Sequence, residues 1–287
     1  MVTVIIFLLV RLTGDPLNVI LPEEASPEMY EQTARALGLD QPLHVQYVRF
    51  LTDIAEGDFG TSHRTRGPVL PLLISRIPAT LELSLAALVV AFATAIPLGM
   101  YAAYWRGGWL DFTARSTAVF GQSMPPFLLG LLLILLFAVT LGVLPAGGRG
   151  TPAHLVLPAV TLAWVIAAGL TRLMRSSLLE VLQLDYITVA RAKGVSERRV
   201  LWRHSFRNAA VPVLTFGGVL SANLLTGSIV TETVFAWPGM GRLVVDSITA
   251  RDFPVVQGAV VLLSAVYITL NLVVDALYIV VNPRLRA

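Results

Sequence analysis

Ala79-Thr-Leu-Glu-Leu-Ser-Leu-Ala-Ala-Leu-Val-Val-Ala-Phe-Ala-Thr-Ala-Ile-Pro-Leu-Gly-Met-Tyr-Ala-Ala-Tyr104 is a run of 26 residues with one charged side chain, Glu82. An α-helix rises about 1.5 Å per residue, and about 20 apolar residues cross the roughly 30 Å hydrocarbon layer of a bilayer. The run is therefore a membrane span. Working outward, full candidates recur at about 116–142, 154–178, 209–231 and 257–281. Residues 1–12 make a sixth span, short at about 18 Å. Across 287 residues, 55% are hydrophobic and 14% charged, with a mean hydropathy of +0.74. Soluble domains carry nearer a quarter charged residues, so the fold class is an all-α integral membrane bundle of six helices, the first short or truncated.

Charge sets the topology. Segments 105–115, 172–207 and 284–287 hold 12 Arg/Lys against 4 Asp/Glu, whereas 13–76, 143–153 and 231–256 hold 8 against 12. Basic loops stay cytoplasmic, which predicts both termini inside. The pI near 9.5 is thereby read as topology rather than as a nucleic-acid surface, since no soluble segment interleaves Lys/Arg runs with aromatics. The chain has no Cys, which removes disulfides and thiolate metal sites.

The one long polar segment, 13–77, is predicted to be an external insertion of short helices. Ser26 caps a helix with Pro27 at its first position and Gly38 at its stop, and a second helix follows over Gln41 to Glu56. Pro78 is expected at the first turn of the second span and Pro97 late in it, with Pro125-Pro126 interrupting the third. Gly217, Gly218, Ser221 and Ala222 form a small-xxx-small pattern that suits close packing within the chain or against a second subunit. Glu82 is expected to snorkel or pair with Arg76, and Asp275 to make a polar contact with a neighbouring helix.

Asp185-Tyr-Ile-Thr-Val-Ala-Arg-Ala-Lys-Gly-Val-Ser-Glu-Arg-Arg-Val200 breaks the apolar pattern on the basic side. Asp185 can cap one helix, Gly194 supplies a left-handed stop, and Ser196 with Glu197 caps the next, giving two short helices bent at Gly194. Tyr186, Ala190 and Lys193 share a face at i, i+4, i+7, and Ala192 and Gly194 are small enough for close approach. A second unusual segment, Thr231 to Pro254, is external by topology yet rich in apolar residues. There Trp237-Pro-Gly239 makes a turn before a short helix at about 240–250, either an interfacial anchor or a loop dipping toward a pore.

Enzymatic chemistry finds little support. Lys193 is the single lysine and lies outside any Gly-x-x-x-x-Gly-Lys-Ser/Thr phosphate cradle. His44, His63, His154 and His204 are scattered over loops without ligand spacing, and no Gly-x-Ser-x-Gly elbow or paired-carboxylate arrangement occurs. No cofactor is called for.

The Ala190-Arg-Ala-Lys-Gly194 hairpin, Arg203-His-Ser-Phe-Arg-Asn-Ala-Ala-Val-Pro-Val213, Thr231-Glu-Thr-Val-Phe-Ala-Trp-Pro-Gly-Met-Gly-Arg242 and Arg251-Asp-Phe-Pro-Val-Val-Gln-Gly258 together resemble the permease subunits of ABC importers of the dipeptide, oligopeptide and nickel group. Gly38-Leu-Asp-Gln-Pro-Leu43, Gly57-Asp-Phe-Gly60 and Arg76-Ile-Pro-Ala-Thr-Leu-Glu82 extend the likeness over nearly the whole chain. Thr188 and Val189 depart from the general loop consensus, which has Glu and Ala there. The resemblance implies a non-enzymatic permease, half of a pore for di- or oligopeptides, with nickel chelates or glutathione as alternatives; a receptor or scaffold would leave the hairpin unexplained. It implies a first span, 1–12, that begins upstream, an insertion over 13–77, and a transmembrane domain over 78–287 with a coupling loop at 184–207. Asp185, Tyr186, Ala190, Arg191, Ala192, Lys193 and Gly194 would couple to two ATP-binding subunits, since this chain cannot itself hold ATP. Trp237, Pro238, Gly239, Gly241, Arg251 and Asp252 would form a pore or external loop beside an extracytoplasmic substrate-binding protein. A second, different permease subunit and membrane lipid complete the expected partners in a bacterial or archaeal plasma membrane.

Overall fold

The computed structural model describes residues 2–12, 17 and 26–281, and it is helical throughout its regular elements. The chain divides into two compact units, Met1–Pro78 with Gly239–Ile268, and Ala79–Pro238 with Thr269–Ala287.

In the first unit, α1 (Val2–Leu12) lies beside α3 (Leu43–Glu56), with Phe7 edge-on to Tyr47 at 5.4 Å and the Thr3 hydroxyl 2.9 Å from that of Tyr47. Between them in the chain, α2 (Pro27–Leu37) has the expected caps: the Ser26 side chain accepts from the Met29 N–H, and Gly38 ends the helix in the left-handed region. The next helix, α4 (Val69–Tyr104), corrects the expected boundary. It starts nine residues before Pro78, because Val69 and Leu73 continue an apolar i, i+4 stripe into a core with Met240, Val244, Val255 and Ala259. Pro78 accordingly lies within the helix rather than at its first turn. This unit also holds α11 (Met240–Thr249) and the start of α12 (Phe253–Val281).

The second unit is built on an alanine ladder. Ala79, Leu83, Ala87, Ala91 and Ala95 recur every fourth residue along α4 and are all buried, so neighbouring helices approach closely. They pack with α7 (Pro152–Leu182) and α10 (Phe206–Val234) around Leu162, Ile166, Leu170, Met174 and Val213. The glycines of the small-residue pattern serve this same packing: a side chain at Gly217 would collide with the Phe92 ring, and one at Gly218 would come within 2.9 Å of Val274.

The expected third span is not one rod. It consists of α5 (Trp109–Ser123) and α6 (Pro126–Leu133), which runs on into a π-helical turn over Ile134–Thr140, and the two halves meet at 109°. A residue before proline is driven out of the helical region, and Met124 accordingly has ψ 122°. Among the described residues, three helices are long and apolar enough to cross a membrane, or four if the bent pair is one span. The Asp275 side chain and residues 282–287 lie outside the described part.

Candidate functional site

The knob over 184–207 belongs entirely to the second unit. α7 ends in a tight turn through Gln183 and Leu184, and α8 (Asp185–Ala192) follows. Asp185 is the first helical residue and makes no side-chain cap; Leu184 holds the cap position. The Asp185 charge therefore acts on the positive end of the helix dipole rather than on a single N–H, which corrects the capping expectation. The Ser196 side chain likewise makes no capping bond, although its backbone is extended as a cap requires.

The bend is as the sequence suggested. Gly194 has φ 76°, its N–H donates to the Arg191 carbonyl at 2.9 Å, and the Val195 N–H donates to Ala190 at 3.2 Å. That is a left-handed stop closed by a six-to-one hydrogen bond. After α9 (Glu197–Arg199), the backbone widens into a π-helical turn over Val200–Ser205 before α10 begins. Nothing in the sequence reading anticipated that turn.

Two sets of contacts hold the knob in shape. Across its mouth the Arg191 guanidinium meets the Glu197 carboxylate with two hydrogen bonds, 2.9 and 3.2 Å. Beneath it, Ile187, Val200, Leu201 and Ser205 are buried, and the Tyr186 hydroxyl accepts from Asn208 Nδ2 at 2.8 Å and donates to the His204 carbonyl at 3.3 Å. The outward surface is bare. Leu184 and Val189 are 48% and 51% exposed, and Tyr186, Ala192, Lys193, Gly194, Arg198 and Arg199 are exposed as well. Of the expected face, Tyr186 and Lys193 reach solvent while Ala190 is half-buried.

The segment after α10 behaves oppositely. Trp237 is 1% exposed, its indole N–H donates to the Ala79 carbonyl at 2.8 Å, and the Arg149 guanidinium lies 5.8 Å over its ring. It is a core residue of the second unit and not a surface tryptophan. Pro238 is half-buried, and Gly239 and Gly241 are buried. Arg149 also pairs with Glu82 at 2.6 Å, so Glu82 takes a partner from the loop before α7 and not Arg76.

In the first unit Asp252, buried, gathers the 62–64 turn. Its carboxylate accepts from the Ser62 hydroxyl at 2.5 Å, the His63 N–H at 3.0 Å and the Arg64 N–H at 3.4 Å, and its carbonyl accepts from Val256 at the start of α12. Arg251 beside it is exposed and held at φ 55°. Burial pushes the His63 imidazole pKa below its ordinary value, and the Asp252 charge opposes that shift without cancelling it.

Two buried carboxylates had no role assigned from sequence. Glu232, fully buried, accepts from the Thr80 hydroxyl at 2.7 Å and the Ser228 hydroxyl at 3.2 Å. Asp111, 2% exposed, takes both prongs of Arg175 at 2.5 and 3.0 Å. An acid inside an apolar or basic run was the available signal in each case. His154 completes a capping box with Thr151 at the start of α7.

Comparison with known proteins fits this architecture. Residues 95–287 match the family described as binding-protein-dependent transport system inner membrane component, and residues 1–85 match the N-terminal region of such membrane components. The chain is 46% identical over 286 residues, covering 99% of itself and 94% of the relative, to the glutathione transport system permease protein GsiC of Salmonella paratyphi A. It is 45% identical, with the same coverage, to GsiC of Escherichia coli K12. Among solved structures, an inward-facing form of the MetNI methionine ABC transporter aligns with a TM-score of 0.64 at 19% identity, over 75% of this chain and 98% of that one. An amino acid ABC transporter solved with histidines aligns at 0.53 and 19%, over 75% of this chain and 94% of that one. At such identities these two speak for the fold alone, but the sequence matches run end to end, and the chain belongs to the family of inner-membrane permease components of binding-protein-dependent transport systems.

Proposed function

We propose that this permease forms half of the pore of an importer for short peptides, and that the knob at 184–207 seats in an ATP-hydrolysing partner. The carrying observation is the knob's division into a pinned underside and a bare outer face, since a rigid lever fixed to two membrane helices transmits force where a floppy loop would not. ATP chemistry belongs to two separate subunits, because the lone Lys193 sits at the bend and no phosphate cradle exists. The remaining parts are a second, different permease chain, an external binding protein, six spans and two cytoplasmic termini, the last resting on the charge split between loops. Trp237, Pro238, Gly239, Gly241, Arg251 and Asp252 belong to the external end, where Trp237 and Asp252 act by fixing the segment's shape. For cargo, relatives named for glutathione, itself a tripeptide, favour a short or modified peptide over a nickel chelate.

The test is a pair of knob variants. Gly194 has no atoms within 4 Å of an added Cβ, so Gly194→Val acts by forcing a branched residue to φ 76° and not by a clash. Ala190→Trp instead adds bulk at a half-buried position between Tyr186 and Lys193. Both are expected to insert into the membrane normally and to abolish uptake, with the ATPase subunits lost on purification. Recovery of those subunits at wild-type stoichiometry with both variants would sink the docking assignment.

A further inference from the structure

A cavity of about 320 Å³ lies between α5 and α7, walled by Ala114, Ala118 and Val119, with Arg115 and Gln122 of α5 and Arg172 and Arg175 of α7 at its edges. Its charge is unbalanced. Arg175 and Arg115 both lean on Asp111, at 2.5 and 3.4 Å, while the Arg172 guanidinium bonds the neutral Gln122 amide at 3.2 Å. Three arginines against one carboxylate leave a net charge of +2 at the site. The Arg115 side chain is 58% exposed although its Nε leans on Asp111, so the rest of its head group faces outward to a ligand.

The surroundings give this cavity an apolar rim and an aromatic edge. Trp109, Phe112, Val119 and Phe120 on α5 are 74%, 66%, 66% and 63% exposed, an apolar surface that only lipid or another membrane helix would cover. Trp105 stacks on Tyr101 at 5.3 Å, and Tyr101 meets Trp202 of the knob's π-helical turn at 6.5 Å. The α4–α5 turn thus lies on the knob's side of the unit, and such aromatic groups mark the membrane–water boundary. Arg115 follows Trp109 by six residues, roughly 9 Å along the helix.

We infer that this cavity holds an anionic phospholipid, its phosphate on Arg115 and Arg172 and its chain along Ala118 and Val119. A guanidinium offers two parallel N–H donors to phosphate oxygens, and basic pockets between helices on the cytoplasmic side are suited to anionic headgroups. A free phosphate shares the headgroup chemistry but has no use for the apolar wall. The assignment goes beyond the transport reading and uses from it only the cytoplasmic side of the knob.

Native mass spectrometry of the whole transporter, purified with its partner subunits, tests this without reference to uptake or ATPase docking. Wild type is expected to retain phosphatidylglycerol in preference to phosphatidylethanolamine. Arg115→Gln with Arg172→Gln should lower that retention roughly thirtyfold, as expected for two arginines near a lipid surface. Val119→Trp, at a position already exposed and without change of charge, should lower it too by filling the apolar side. After delipidation, short-chain phosphatidylglycerol should raise the Tm of wild type, whereas inorganic phosphate at equal concentration should not. Equal retention of the two lipids by wild type, unchanged retention in the double variant, or an equal Tm rise with phosphate would each overturn the lipid assignment.

Discussion

The knob at 184–207 and the segment at 231–258 both looked exceptional in sequence, and they are held in opposite ways. The knob keeps two aliphatic side chains and most of its charges at the surface and is shaped by local bonds, Arg191 to Glu197 and Tyr186 to Asn208. The later segment buries Phe235, Trp237 and Met240 and is shaped by partners far away in the chain, Ala79 for Trp237 and Ser62 for Asp252. A surface shaped from within is free to change partner, whereas a buried one is committed to its own fold. Variants in the knob should therefore affect coupling, and variants in the later segment should affect folding first.

The largest expected effect tests the second half of that contrast. Trp237→Ala removes a fully buried ring together with its bond to Ala79 and the stacked Arg149. Emptying a site of that size destabilises by about 3–5 kcal/mol. Membrane abundance should fall steeply, with uptake per assembled complex near wild type. Normal abundance with a reduced normalised rate would instead assign Trp237 to the transport path.

Next in size is Asp252→Ala, which leaves the Ser62 hydroxyl and the His63 and Arg64 N–H groups without their acceptor. The Ser62 hydroxyl is the buried donor of the three, and stranding such a group costs about 1–3 kcal/mol. Hydrogen exchange over residues 60–68 should quicken while the knob's exchange is unchanged. Unaltered exchange at 60–68 would show that the carboxylate is not what holds this turn.

These differences explain what could be read from sequence. Local rules placed Gly194 at its bend and put Ser26 and Gly38 at their caps, because the signal and its consequence lie within a few residues. The Met124-Pro125-Pro126 break was visible, but its 109° angle was not, since proline prescribes an exit from the helix and not a direction. The start of α4 was misplaced for a related reason: Pro78 suggested a first turn, yet the buried partners of Val69 and Leu73 come from 240–259. Arg149 as partner of Glu82 and Arg175 as partner of Asp111 are separated by 67 and 64 residues, so the charges were legible and the pairing was not. For the same reason the Trp237 side chain was expected at the interface or the pore, since its neighbour Ala79 carries no signal of its own.

A smaller effect probes the knob. Arg191 and Glu197 are 41% and 43% exposed, so solvent screens their attraction and the pair contributes at most about 1 kcal/mol. Arg191→Gln with Glu197→Gln should barely change abundance or thermal stability. If rigidity matters for coupling, ATP hydrolysis should become less dependent on substrate. Unchanged coupling would leave the pair without a part in transmitting force, and would move that role to the buried Ile187 and the Tyr186 bonds.

The smallest expected effect concerns pH at the other end of the comparison. His63 is half-buried in the turn held by Asp252, and burial, partly opposed by the Asp252 charge, lowers its folded pKa beneath the ordinary 6.5. The folded state thus prefers the neutral ring, and stability from this group is complete above about pH 6.5 and lost as pH falls through the lowered folded value. In wild type, exchange over residues 60–68 should quicken on acidification from pH 7 to pH 5. His63→Gln keeps the backbone N–H bond to Asp252 but removes the titrating ring, so its exchange should quicken less over the same range. The knob lies outside the substituted turn, and its exchange should follow the same pH course in both proteins. Identical acid sensitivity at 60–68 in wild type and variant would take His63 out of the account of this turn.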